Sequence, residues 1–139
     1  SQPASVKELD SFKYFFVSNC DTIIKTNLFK LFNYHKKNHC DLTIVAAKQR
    51  LKIPYGVCTT KKNKTLKEIV EKPEVKFEVN TGFYLISSSL LKLVPKSKNL
   101  YHITDLIEKA QKLKKKVGVY KISNNSWYDL GSFSSLNKK

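Results

Sequence analysis

The sequence predicts an α/β fold, a mixed sheet flanked by helices and built as one unit over residues 1–139. Three observations predict it. Short runs rich in β-branched and aromatic residues alternate with segments of helical periodicity. The first three elements read strand, helix, strand, and parallel strands need a connection of that length. No internal repeat, low-complexity stretch or linker breaks the alternation. With 41% hydrophobic and 12% aromatic residues the chain can fill a single core, although the stability margin at this size is modest.

The elements follow in order. Tyr14-Phe15-Phe16-Val17 reads as a buried strand ending at the polar cluster Ser18-Asn19-Cys20-Asp21. Leu28, Leu31, Phe32 and His35 fall at helical spacing, which predicts a helix from about Asn27 to Lys37. Leu42 to Ala47 is the second strand, and the crossover between the two implies a parallel pair. Tyr55 to Thr60 and Leu66 to Glu71 then read as a hairpin around the turn Lys61-Lys62-Asn63-Lys64. Val79 to Ile86 is a strand interrupted by Gly82, and Ser87 or Ser88 caps a short helix that Pro95 stops. Ile103, Leu106, Ile107, Ala110 and Leu113 form an amphipathic helix starting near His102 or Thr104. Val117 to Ile122 and Trp127 to Leu130 close the series as strands, with a last helix opening at Gly131-Ser132.

Charge is the most conspicuous feature of the composition. The net charge is +15, yet Arg50 is the only arginine among 26 basic residues. Readers of nucleic acid rely on arginine for bidentate phosphate and guanine contacts, so the sequence predicts no nucleic-acid partner. The lysines are spread along the chain as a solvated surface that also draws anionic substrates. Apolar runs such as Phe83 to Ile86 are far too short to span a membrane, and Ser1 to Asp10 lacks a signal-peptide pattern. Cys20, Cys40 and Cys58 are odd in number and have no metal-type pairing. They fit idle thiols in a reducing compartment, which predicts a cytoplasmic protein without a membrane partner. His35, His39 and His102 lack partners at nucleophile or metal spacing.

In an open α/β sheet ligands bind beyond the carboxyl ends of the strands, so residues just after apolar runs carry the interest. Asp21 directly follows a strand and suits a hard cation or a hydroxyl donor; read alone, it is more simply a turn or N-cap aspartate. Asp129 sits within Trp127-Tyr128-Asp129-Leu130-Gly131, where burying a carboxylate demands a cation or hydrogen bonds. Only the fold can bring the two carboxylates together. Glu71 and Lys72 close a strand before Pro73 and point to opposite sides, leaving Glu71 for sugar hydroxyls and Lys72 for phosphate. Read alone, they are more simply solvated charges at a strand end. Gly56 marks a close backbone approach, and Asn80-Thr81-Gly82 offers an amide, a hydroxyl and an open position; each also fits a β-bulge.

The order of these motifs is far more specific than any one of them. Phe15-Phe16-Val17-Ser18-Asn19-Cys20-Asp21, Pro54-Tyr55-Gly56-Val57, Ile69-Val70-Glu71-Lys72-Pro73, Val79-Asn80-Thr81-Gly82-Phe83-Tyr84 and Trp127-Tyr128-Asp129-Leu130-Gly131 together resemble the sugar-1-phosphate nucleotidyltransferase family. The resemblance runs from about Lys13 to Lys139 and leans toward the mannose-1-phosphate guanylyltransferase branch. It implies a Rossmann-like mixed sheet in which a sugar 1-phosphate attacks the α-phosphorus of a nucleoside triphosphate and releases pyrophosphate. It further implies that Asp21 and Asp129 hold Mg2+ and that Gly56, Glu71, Asn80 and Thr81 bind the sugar. Lys72 stands where the family places a catalytic lysine beside the sugar phosphate. The chain departs from the family pattern in two places. Cys20 stands where the family has glycine, and no segment matches the family's opening strand and glycine-rich triphosphate loop. Gln2 to Leu9 matches at most the helix preceding the Asp21 strand. The expectation is therefore a domain lacking its first βα unit, able to hold a sugar phosphate but without turnover by itself. An uncovered sheet edge would favour a homo-oligomer. The alternative is a non-catalytic module of the same fold that binds a sugar or a partner protein.

Overall fold

The structure, a computed structural model, describes residues 13–96 and 100–131. Its elements are β1 (Tyr14–Ser18), β2 (Thr22–Ile24), α1 (Leu28–Lys37), β3 (Leu42–Lys52), β4 (Val57–Thr60), β5 (Leu66–Val70), β6 (Glu74–Ser87), α2 (Ser88–Leu91), α3 (Ile103–Lys112), β7 (Val117–Ile122) and β8 (Trp127–Asp129).

The central sheet has the order β1-β6-β3-β7. β6 runs antiparallel to both β1 and β3, whereas β3 and β7 are parallel. β1 and β3 therefore point the same way, as the crossover through α1 requires, but β6 lies between them. The sheet is mixed because a late strand fills the gap the crossover leaves. Its two faces carry separate cores. Leu42, Tyr84, Ile86, Leu90, Leu106 and Ala110 pack under α2 and α3, and Leu31, Val45, Ala47, Leu85 and Ile122 pack under α1. Alternate residues of Leu42–Ala47 and Tyr84–Ile86 supply opposite faces, as a sheet covered on both sides demands.

α1 is capped by Asn27, whose side chain accepts from the Lys30 amide. His35 locks this helix to the sheet. It is buried, with Nδ1 2.8 Å from Thr43 Oγ1 on β3 and Nε2 3.0 Å from Ser87 Oγ on β6. The Ser87 hydroxyl gives its proton to the Cys40 carbonyl at 3.3 Å. It must then accept from Nε2, which leaves Nδ1 to accept from Thr43. His35 is thus a satisfied core residue, as its lack of spaced partners suggested. α3 begins with a capping box in which the His102 amide donates to Asp105 Oδ2 at 3.0 Å.

The structure differs from the sequence reading in three places. β3 and β6 extend well past the sheet as a two-stranded ribbon pairing Lys48–Lys52 with Glu74–Glu78. Charged side chains alternate with Gln49 and Leu51 on one arm and with Val75 and Phe77 on the other, and the Ile53 amide closes them by donating to the Pro73 carbonyl at 3.0 Å. The hairpin strand β5 ends at Val70, so Glu71 and Lys72 lie in the bend after it rather than on opposite strand faces. The strand expected to be buried, β1, lies at the sheet edge with Phe16 and Val17 exposed, while Trp127–Asp129 pairs with Thr22–Ile24 in a separate ladder. The expected last helix shows its start at Leu130-Gly131; the rest of it, like Gln2 to Leu9, lies outside the described residues.

Candidate active site

The site is built where β1 ends and β6 is kinked. Register along β3 and β6 slips between Val45 and Ala46, and Gly82 takes φ +79° at that bulge. A side chain could not be placed there. A Cβ on Gly82 would stand 2.4 Å from Asn19 Nδ2 and 3.2 Å from Thr22 Oγ1. That closeness lets the turn after β1 latch onto β6. The Asn19 amide donates to the Gly82 carbonyl at 2.9 Å, and Thr22 Oγ1 donates to the Thr81 carbonyl at 2.8 Å.

From that latch β2 departs and pairs with β8, setting Thr22 opposite Asp129, Ile23 opposite Tyr128 and Ile24 opposite Trp127. The ladder ends with the Leu130 amide donating to the Asp21 carbonyl at 2.9 Å. Two carboxylates far apart in sequence thus reach the same end of one short ladder. Asp21 Oδ2 and Asp129 Oδ1 lie 3.1 and 3.2 Å from the point a Cβ on Gly131 would occupy. The Gly131 amide donates to Asp129 Oδ1 at 3.0 Å and fixes that carboxylate. A side chain at this position would crowd both oxygens.

A cleft of about 180 Å³ opens beside the pair, lined by Asn19, Asp21, Thr22, Asn80, Thr81, Gly82, Tyr84, Trp127 and Asp129. Asn80 donates to the Tyr84 hydroxyl at 2.8 Å and accepts from the Gly82 amide at 3.0 Å. Thr81 is buried; its hydroxyl donates to the Val45 carbonyl at 2.7 Å and accepts from the Phe83 amide at 3.3 Å. The Thr81 hydroxyl is therefore committed to holding the bulge, and its part in the cleft is to position Gly82 and Thr22. The Trp127 indole N–H is buried without a hydrogen-bond partner among the described residues. A buried indole donor ordinarily finds an acceptor, so Trp127 keeps an unsatisfied donor inside the wall of the cleft rather than on its surface.

Gly56, Glu71 and Lys72 form a second group on the β4–β5 hairpin and do not line the cleft. Glu71 Oε2 comes within 3.0 Å of where a Gly56 Cβ would be. The Lys72 amide donates to the Tyr55 carbonyl at 3.1 Å, with Lys72 itself at φ 45°. That conformation is uncommon for a residue with a side chain and turns the lysine at the hairpin's base. All three are exposed. Of the residues singled out from sequence, the structure brings Asn19, Asp21, Asn80, Thr81, Gly82 and Asp129 to the cleft, where Thr22, Tyr84 and Trp127 join them. Thr22 could have been found as the polar residue opening a run that pairs with the Asp129 motif.

The chain is similar to known proteins. Residues 4–139 match the family described as nucleotidyl transferase. The chain belongs to that family. It is 37% identical over 84 residues to a mannose-1-phosphate guanyltransferase of Yarrowia lipolytica, covering 58% of this chain and 23% of that protein. It is 31% identical over 134 residues to the bifunctional protein GlmU of Acholeplasma laidlawii, covering 87% of this chain and 29% of that protein. Among solved structures, HddC from Yersinia pseudotuberculosis superposes with a TM-score of 0.56 at 20% identity, over 86% of this chain and 51% of that one. A putative glucose-1-phosphate thymidylyltransferase from Bacillus anthracis gives 0.56 at 20% identity, over 91% and 52%. These two likenesses establish the fold. The chain spans less than a third of the two curated relatives and about half of the structural neighbours.

Proposed function

We propose that this nucleotidyl transferase chain provides the metal and sugar-phosphate side of a sugar-1-phosphate nucleotidyltransferase. The observation that carries the reading is the convergence of Asp21 and Asp129 beside a cleft walled by Asn80, Gly82 and Trp127. Asp21 and Asp129 fit Mg2+: they are two hard oxygen donors facing one point that a glycine keeps open. Magnesium commonly takes one or two protein carboxylates and leaves its other positions to water and phosphate oxygens. Among the described residues no third His, Cys, Asp or Glu joins the pair. When bound, the ion supplies charge neutralisation for phosphate oxygens.

The reaction balances as an in-line displacement. A phosphate oxygen of the sugar 1-phosphate forms a bond to the α-phosphorus of a nucleoside triphosphate, and the bond to the β-phosphate oxygen breaks. Pyrophosphate leaves with that electron pair. No covalent nucleophile is needed, so the side chains act by positioning and charge. In this reading Asp21 and Asp129 fix the metal, and Lys72 holds the sugar phosphate as a point charge. Glu71 and the backbone at Gly56 receive sugar hydroxyls; Asn80, at the cleft wall, is a further hydrogen-bonding partner. The reading includes a cytoplasmic location. Among the described residues no helix is long and apolar enough to cross a membrane. It also includes self-association, for which β1 offers an edge strand with exposed Phe16 and Val17.

The test is phosphorus-31 spectroscopy of a panel of hexose 1-phosphates with the 139-residue chain and Mg2+. The reading expects a saturable shift for at least one sugar phosphate, weakened by Lys72→Gln and by Glu71→Gln. A panel that never shifts, or shifts equally with both variants, contradicts it. A pyrophosphate-release assay run beside it separates a catalytic chain from a binding module.

A further inference from the structure

The β3–β6 ribbon carries a feature that the cleft chemistry does not use. In its register Lys48 stands opposite Glu78 and Arg50 opposite Lys76. Directly opposed residues in an antiparallel pair share a face, so Lys48, Arg50, Lys76 and Glu78 lie together on one side. Like charges directly opposite are unfavourable in a sheet. Arg50 and Lys76 nevertheless occupy such a pair. The acidic member of the group does not relieve them: Glu78 is bound at 2.6 Å by Lys121 from β7, the ion pair formed among the described residues. Lys48, Arg50 and Lys76 form no ion pair among the described residues, although Glu74, opposite Lys52, shares their face.

They also contribute to the lining of a concavity. A pocket of about 260 Å³ is lined by Lys48, Gln49, Arg50, Lys76, Phe77 and Glu78. Gln49 is held from the far side by Asn124, to whose Oδ1 its amide donates at 2.6 Å. The chain uses lysine for every other basic position, and the sole arginine is here. Arginine differs from lysine in offering a planar fork that meets two oxygens of one phosphate. We infer that the Lys48–Arg50–Lys76 pocket is a binding site for a small phosphorylated anion, separate from the Asp21–Asp129 cleft. Arg50 grips two phosphoryl oxygens, Lys76 and Lys48 neutralise the remaining charge, and the anion turns a repulsive cross-strand pair into a bridged one. The pocket's size suits a phosphate or pyrophosphate group rather than an entire nucleotide.

The experiment uses inorganic pyrophosphate with the 139-residue chain in EDTA, which removes any metal-mediated binding at the carboxylate pair. Calorimetry and thermal melting are read together. Saturable binding is expected, with a rise in melting temperature. Arg50→Gln and Lys76→Gln should each weaken it about tenfold, as loss of a charge-assisted contact does, while Asp21→Asn leaves it unchanged. In phosphate-free buffer Arg50→Glu should melt above the native chain, because it gives Lys76 an opposite charge, and should no longer respond to pyrophosphate. Absence of saturable binding, or equal binding by Arg50→Gln and Lys76→Gln, overturns the site. Binding lost in Asp21→Asn instead would place the anion in the cleft. Tighter binding of duplex RNA through Arg50 and Lys76, with pyrophosphate unable to displace it, would make this a nucleic-acid face and equally overturn the proposal.

Discussion

Replacing Gly131 with alanine tests the proposed metal site without touching either carboxylate. The added Cβ would stand 3.1 Å from Asp21 Oδ2 and 3.2 Å from Asp129 Oδ1. Both separations are tighter than ordinary carbon–oxygen contact, so each carboxylate must retreat by a few tenths of an ångström. The methyl also takes the space in which an ion would be shared. Disturbing the orientation of metal-holding carboxylates typically lowers affinity about 10- to 100-fold. That corresponds to roughly 1.4–2.7 kcal/mol. Folding should not suffer: Gly131 is exposed and its φ lies outside the left-handed region. Stability should instead rise by up to about 1 kcal/mol through the less flexible unfolded chain. The assay is calorimetric titration with Mg2+ and Mn2+, beside a urea melt of each protein. Cation affinity unchanged within twofold in Gly131→Ala would refute the shared site.

Three other expectations follow from the same geometry. Gly82→Ala should destabilise the fold by about 1–3 kcal/mol, because it combines strain at φ +79° with a Cβ 2.4 Å from Asn19 Nδ2; chemical denaturation measures it. Lys72→Gly should separate binding from stability: sugar-phosphate affinity falls about tenfold with the lost charge, whereas relief of φ 45° raises stability by up to about 1 kcal/mol. His35 gives a pH signature. Burial pushes its imidazole below the usual value of 6.5, with the Asp41 carboxylate opposing the shift. The unfolded chain therefore takes up a proton before the folded one does. The His35 contribution is fully present above about pH 6.5 and is lost as pH falls below it. Urea midpoints across pH 5 to 8 should show that decline, and His35→Gln should flatten it.

Much of the fold was legible because local pattern and tertiary role agreed. Leu42–Ala47, Val117–Ile122 and the helices at Leu28–Lys37 and Ile103–Lys112 carry apolar spacings that only a buried face explains. The ribbon was less visible. Lys48–Lys52 and Glu74–Glu78 alternate, but their apolar members Leu51, Val75 and Phe77 remain substantially exposed, so their pattern resembles solvated chain. Their strand character comes from pairing with each other, a long-range fact. The same holds for the site. Asp21 and Asp129 were identifiable by the residues around them, but their meeting depends on a three-residue ladder, Thr22–Ile24 with Trp127–Asp129, too short for any periodicity to register. Thr81 shows the converse: its place in the motif was visible, whereas the commitment of its hydroxyl to Val45 could be seen only once β3 and β6 were paired.

The central claim is that Asp21 and Asp129 hold one divalent cation which meets the phosphate of a sugar substrate. Its most direct test is the coupling between the two ligands, measured as hexose 1-phosphate affinity with and without saturating Mg2+. Coupling of this kind is reciprocal, so the same factor must appear when Mg2+ is titrated with and without the sugar phosphate. The account predicts a clear gain in affinity in the native chain that vanishes in Asp21→Asn and in Asp129→Asn, with Arg50→Gln retaining it. Equal affinity with and without Mg2+, or a gain that survives both aspartate variants, would contradict it.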